Sequence, residues 1–419
     1  MKKYLFYCAI VLILFFGSNV LVFLGWGIGV SGSNGVFLIH PGVYFVGVCL
    51  LMSFFYLKYI KIEEKLLIFA FVALLFTMFI TKNTGTLSNI PNSLLLPVML
   101  SIYLSLFGST YKIGIRKLIV VFFVVNCCLA LVEKMLTVNF FPFTGGSALD
   151  NIKEGFRSSA LQNHYLNNAL FTSIILSFIL MSKSITLKLK GGLLLLGFVA
   201  FLCFNTRSTI VFWGVWSFVF LLSIFADKKV VFNQKLKFFG FFLILGSLAV
   251  TLMFQYGWGD RLFKMGLLDE SSSEARFEAF NIFQFYDLQD FLLGVSADKY
   301  DFILAKADIL ILENYWLVFI LRYGVIFTVL LTIMYFKLFK RLFIGYSTTQ
   351  ILFTSLPFLI ISSTNNSLSG NSMALSVFLL CVYAFNPRKR TLLIKRKLNI
   401  MHKQIQDNNF LVQKYHSSI

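Results

Sequence analysis

Between Tyr4 and Asn386 one apolar segment follows another, and polar residues are largely confined to the breaks between them. Hydrocarbon offers no partner to a backbone N–H or C=O. A chain entering a bilayer must satisfy those groups within itself, and a helix of about 20 residues does so across the ~30 Å core. Reading the runs between polar breaks gives twelve segments, at 4–25, 37–57, 66–80, 93–110, 118–139, 166–182, 191–205, 209–226, 238–255, 314–336, 346–363 and 372–386. Only "NTRS" divides 191–205 from 209–226. Charged residues make up 13% of the chain, against about 25% in soluble domains. The expectation is an all-α polytopic integral membrane protein of about twelve transmembrane helices, with 1–419 as a single membrane domain. The N-terminal apolar run is too long for a signal peptide and reads as a retained first span.

Charge sets the expected orientation. With both termini in the cytoplasm, the inner breaks and the tail 387–419 hold 26 of the 37 Lys and Arg, as the positive-inside rule requires. The formal charge of +19 is therefore largely topological. No basic stripe with interleaved aromatics points to nucleic acid, and the basic tail suits anionic lipid headgroups. Thirteen of 18 acidic residues fall outside, eleven of them between Asp260 and Glu313. The large extracytoplasmic loop is thus 256–313, and a shorter one spans about 140–165. Chemistry is expected on this face, because the inner breaks are too short for a nucleotide site and contain no glycine-rich phosphate loop. The six cysteines lie in apolar runs without paired spacing or histidine neighbours, so neither disulfides nor a metal site is expected.

Three outer segments each carry one arginine near the expected membrane boundary. In "SSSEARFEAFNIFQF", Ser271 and Glu274 have capping-box spacing, which predicts a short amphipathic helix within the large loop. At about 100° per residue, Arg276 shares a face with Ala279, Phe280 and Phe283, away from Glu274 and Glu278. Either it snorkels from a helix lying on the membrane, or this face covers a cavity and Arg276 reaches an anion there. Arg157 lies in "KEGFRSSALQNHYLNNALF", where Asn167 and Asn168 run straight into an apolar segment. Amides at that depth are costly unless they face a polar cavity or ligand; an ordinary interfacial loop is the other reading. Arg207 stands in "NTRS", at the tip of a hairpin of spans. Arginine offers a flat fork of donors that clasps phosphate oxygens, and three at one depth would suit a lipid diphosphate. The large loop closes with "ENYWLVFILRYGVIF", where Glu313 precedes the interfacial pair Tyr315 and Trp316. Glu313 either pairs with a loop cation or, beside apolar surface, has its pKa raised and acts as a general base. His164 reads as a loop hydrogen-bonding residue, with a role as reserve base.

With these residues in view, the chain resembles the bacterial O-antigen polymerase/O-antigen ligase family, best over about 140–385. Arg157 in "RSSALQNH", Arg207 in "NTRS", Arg276 in "EARFEAFNIF" followed by "DFLLGVS", and "ENYWLVFILRYGVIF" are similar, in order, to four elements of that family. Ala160 stands in place of a glycine, Tyr165 in place of a proline, and Glu313 where ligases carry histidine, which sets the chain apart from the ligases. The resemblance implies a glycosyltransferase of the bacterial cytoplasmic membrane, a polymerase of O-antigen (lipopolysaccharide) or capsule repeat units. It would transfer a glycan from a polyprenyl-diphosphate-linked donor, such as an undecaprenyl diphosphate sugar, to a sugar hydroxyl of a lipid-linked acceptor at the outer leaflet. It would need no metal or cofactor and would invert the anomeric centre. On that reading Arg157, Arg207 and Arg276 bind the diphosphate and Glu313, with His164 in reserve, serves the acceptor hydroxyl. Membrane lipids, a chain-length regulator and a flippase are the implied partners. An O-antigen ligase is the alternative within the family. A flippase of lipid-linked oligosaccharide is the alternative of another class, though spans nearly free of charge and the lack of an internal repeat favour the enzyme.

Overall fold

The computed structural model describes residues 2–26, 39–54, 60–80, 89–107, 111–141, 155–162, 164–228, 230–260, 262, 279–309, 312, 314–364, 368, 370 and 372–387. Every element among them is a helix, apart from one isolated bridge between Ile344 and Tyr346. Arg276, Glu313, the Ser271–Glu274 capping box and the tail beyond Pro387 lie outside the described residues.

Each of the twelve apolar segments carries helix. The first comes as α1 (Lys2–Phe15) and α2 (Ser18–Phe23), broken at Gly17. A Cβ there would overlap the Leu161 carbonyl and Gln162, so the break makes room for a distant loop. Next come α3 (Pro41–Leu51), with proline in its first turn and His40 Nδ1 accepting from the Gly42 N–H at 3.0 Å, and α4 (Ile62–Ile80). A π-helical turn (Ile90–Leu95) runs into α5 (Leu96–Phe107), and α6 (Lys112–Leu136) follows. After the shorter loop come α7 (Tyr165–Met181), α8 (Leu187–Phe204), α9 (Arg207–Ala226) and α10 (Phe232–Tyr256). The described part of the large loop forms a 3-10 turn (Ala279–Phe285) and two short helices, α11 (Leu288–Leu293) and α12 (Ala297–Lys306). The chain then enters α13 (Tyr315–Leu342), α14 (Thr348–Ser363) and α15 (Ala374–Phe385). Six described helices are long and apolar enough to cross a membrane: the π-turn with α5, α6, α8, α9, α10 and α13. Four shorter apolar ones, α3, α7, α14 and α15, accompany them.

Burial sorts the helices. α7 has no polar face, and all its residues from Asn167 to Leu180 are buried, as expected of a helix that is apolar all round. It packs against α6, α8, α9, α14 and α15 and forms the centre of the bundle. By contrast α10 buries only Phe238, Leu245 and Ala249 and exposes Leu243, Ile244, Val250 and Phe254. Phe69, Phe76 and Phe79 of α4 are likewise exposed. Apolar exposure on that scale suits a protein whose solvent is lipid.

α13 is two helices joined at Gly324, whose backbone (φ 75°, ψ 163°) is not helical. Its first turns contribute Leu317, Val318 and Leu321 to a small separate core with Ala279, Ile282, Val295, Ile303 and Leu312. The remainder, Val325–Leu342, packs into the main core. The sequence expectation of one continuous span from 314 therefore needs correcting. The upper part of α13 belongs to a cap built from the large loop, and Arg322, expected within a span, lies at the cap's edge with its guanidinium 4.9 Å from the Tyr300 ring centre. That ring face is thus occupied and is not open to a sugar.

Candidate functional site in a re-entrant segment

The end of the bundle where α6 and α8 stop and α7 and α9 begin is filled by residues 155–162, an irregular segment with no helix of its own. Arg157, Ser158, Ser159, Ala160, Leu161 and Gln162 are all buried. Non-helical backbone at such depth is tolerated only inside protein, with its polar groups matched. Here they are matched by side chains. The Glu133 carboxylate accepts from the Ser158 hydroxyl (2.5 Å) and the Ala160 N–H (2.8 Å) through one oxygen and from the Phe140 N–H (3.0 Å) through the other. Asn126 Oδ1 accepts from the Leu161 N–H at 3.3 Å, and the Ser158 N–H donates to the Cys203 carbonyl at 3.1 Å. Asn139 Oδ1 accepts from the Ser159 N–H, and the Gln162 amide donates to the Leu14 carbonyl, each at 3.1 Å. Asn126 is ten residues, about 15 Å, back from the end of α6. The segment therefore plunges well into the bundle, which is why α7 starts deep and has only 17 residues.

Two of the amides expected to face a cavity or ligand now have places. Asn168 donates to the carbonyls of Ser159 and His164, so it satisfies backbone of the re-entrant segment. Asn167 is buried beside it in the first turn of α7. His164 caps α7: its Nδ1 accepts from the Leu166 N–H at 3.2 Å. Burial pushes the imidazole down to about 4, so the ring is neutral near pH 7. Its lone-pair nitrogen is committed to the cap and its proton sits on Nε2, which suits a donor better than a base.

Both departures from the family pattern in this stretch have a structural reading. Ala160 adopts φ 39°, a left-handed conformation that glycine enters without strain. Tyr165, in place of proline, lays its ring against Arg157, with the guanidinium carbon 4.0 Å from the ring centre. The His164 ring stacks beside it at 3.7 Å. Such a contact orients a guanidinium and holds its charge within protein.

The "NTRS" turn meets this segment from the other side. Asn205 ends α8 in a left-handed conformation (φ 52°), Thr206 precedes α9, and Arg207 opens it, half-buried. Asn205 and Thr206 are buried, so the turn is not a surface tip as the hairpin predicts. It is covered by residues 155–158 and by the end of α10, where Trp258 and Gly259 pack over Leu202 and Ile210. Asp260 joins all three. It accepts from the Asn205 amide at 2.9 Å, and its carboxylate faces Gly155, where a Cβ would lie 3.1 Å from it. Ser208, beside Arg207, lies 3.2 Å from the Thr364 hydroxyl at the end of α14. Ser362 and Ser363 of that same end lie beside the Tyr315 hydroxyl.

The structure thus brings the Arg157 and Arg207 segments together, with His164 alongside. Glu133, Asn126 and Asp260 complete the arrangement and were not singled out from sequence. The available signal was Asn126 and Glu133 spaced seven apart on one face of an apolar run, where polar groups call for a buried partner. No family model, no curated protein and no solved structure matches this chain, so what the site does is read from its own residues.

Proposed function

We propose that the protein is a membrane glycosyltransferase that polymerises polyprenyl-diphosphate-linked saccharides at the outer leaflet, with about twelve crossings and both termini in the cytoplasm. The observation that carries this reading is the meeting of two arginine-bearing segments, some fifty residues apart in sequence, at one polar, protein-enclosed end of an otherwise apolar bundle. A lipid diphosphate leaves already ionised, so its departure needs charge stabilisation more than protonation, and arginine supplies that without a metal. Arg157 and Arg207, joined by Arg276 from the large loop, hold the diphosphate. Glu313, two positions before Tyr315, orients or deprotonates the acceptor hydroxyl, and His164 contributes as cap and donor.

The test is the glycan profile of a deletion strain complemented with variants at matched protein levels. Arg157→Ala and Arg207→Ala should each lower polymer formation by roughly 10²–10³, with Lys a poor substitute because it lacks the fork. Glu313→Gln should abolish it. Near-normal polymer in both arginine variants rejects the clamp. In the deletion strain, single repeat units should collect on the outer leaflet. Units retained on the inner leaflet would indicate a flippase, and polymer made but left unattached would indicate a ligase.

A further inference from the structure

The largest apolar opening lies away from the arginines, along α13. It is a groove of about 590 Å³, within the ~300–1,000 Å³ range of ligand sites. α13 forms one wall, and α14, α15 and the π-helical turn at Ser93–Leu94 form the other. The side chains facing it are mostly Phe and Leu. The hydroxyls among them are spent inside the protein: Thr328 donates to the Gly324 carbonyl (2.8 Å), Thr332 to the Thr328 carbonyl (2.7 Å) and Tyr335 to the Leu94 carbonyl. Such a wall asks for hydrocarbon and nothing else.

Length narrows the occupant. The lining runs along α13 from Tyr315 to Lys340, about 37 Å at 1.5 Å per residue. Below the break at Gly324 alone, from Thr328 to Phe343, it is still about 22 Å. An acyl chain of one leaflet reaches only to the midplane, about 15 Å. The groove is therefore matched to a hydrocarbon chain longer than a leaflet is deep. Its Tyr315 end adjoins Ser362 and Ser363, and their neighbour Thr364 touches Ser208 next to Arg207. Hydrocarbon wall and cationic rim share one end, as an amphiphile with an anionic head requires.

The geometry points to this groove as the seat of the polyisoprenoid tail of the lipid carrier, with its phosphate end at Tyr315 and its distal isoprenes beside Thr332 and Phe339. This rests on the proposed glycosyl transfer and adds to it a site for the carrier chain and a preference for long carriers.

The test uses the full-length protein in phosphatidylglycerol nanodiscs and a C55 polyprenyl monophosphate carrying a photoreactive group on its last isoprene. Crosslinks should fall on the lower half of α13 and on α14 near Ser355. Thr332→Trp, which fills the groove from an exposed position, should weaken C55 binding roughly tenfold or more. It should leave binding of a three-isoprene phosphate unchanged. Crosslinks on the outer faces of α4 or α10, or equal loss for short and long probes, overturn the groove while leaving the transferase reading intact. Displacement of the C55 probe by equimolar phosphatidylglycerol assigns the groove to acyl chains and also overturns it. Failure of any polyprenyl phosphate to bind at all removes the transferase reading with it.

Discussion

A carboxylate with no exposed surface costs several kcal/mol unless its lone pairs are filled by good donors. Glu133 meets that condition with two backbone N–H groups and one hydroxyl, all from the segments that carry the site. Its neighbour Lys134 donates to the Phe156 carbonyl at 2.9 Å, one residue before Arg157. Side by side in sequence, these two residues pin the re-entrant segment at several points. Glu133→Ala would leave three donors facing no acceptor, at about 1–3 kcal/mol for each group left unsatisfied. Glu133→Gln keeps one acceptor and turns the other oxygen into a donor, so the loss is smaller. Thermal unfolding of the purified protein should therefore rank wild type above Glu133→Gln above Glu133→Ala, and equal midpoints for all three would deny Glu133 this role. The arginines were legible in sequence because charge stands out against apolar runs. The acid and amides that position Arg157 were not, because their partners lie some 25–35 residues on, in a loop whose return into the bundle no local pattern announces.

Among the elements, the break in α13 ties the cap to the membrane bundle. Gly294 (φ 87°, ψ 165°) and Gly324 (φ 75°, ψ 163°) both sit in a conformation essentially closed to other residues. Their backbones lie against each other. A Cβ on Gly294 would come within 2.5 Å of the Arg322 carbonyl oxygen, and one on Gly324 would overlap the Leu292 carbonyl. The Val295 N–H donates across the joint to the Leu321 carbonyl at 2.9 Å. Gly294→Ala or Gly324→Ala thus adds steric overlap to a backbone penalty of about 1–3 kcal/mol. Each should release the cap rather than unfold the bundle. Hydrogen exchange is expected to rise over 279–309 and 315–323 while α6, α7 and α8 stay as protected as in wild type. Unchanged protection in the cap, or equal loss in both regions, would contradict the joint. The sequence marks both glycines, in "LLGVS" and "RYGVIF". Glycine inside an apolar run is ordinary in membrane helices, so only their contact across thirty residues reveals a break. Helix content was readable throughout, since apolar runs in lipid have few other ways to satisfy the backbone. The π-turn at Ile90–Leu95 and the split of α1 from α2 were not, because each answers to a partner elsewhere: the Tyr335 hydroxyl and the Leu161–Gln162 backbone respectively.

Across the whole molecule, charge and packing divide the bundle into two unlike ends. At one end the acids of the cap include Asp287 and Asp290, both paired with Lys299. At the other, Arg341 at the foot of α13 pairs with Glu63 (3.0 Å) and with fully buried Glu64 at the start of α4. There too Lys112 and Arg116 of α6 donate to the Asn386 and Ala384 carbonyls below α15. The acids of α4 are thus consumed in fixing one helix foot to another, and this end keeps a net positive character that favours the cytoplasmic side. The orientation has a direct consequence for the site, because Arg157 and Arg207 lie at the end bearing the cap. With the six native cysteines replaced, Asp301→Cys, exposed on α12, should react with a membrane-impermeant maleimide in intact spheroplasts. Lys183→Cys, exposed between α7 and α8, should react only after lysis. The reverse pattern would put the arginines in the cytoplasm and overturn transfer at the outer leaflet, whereas the expected one places cap, arginines and the Tyr315 mouth of the groove where a translocated lipid-linked saccharide arrives.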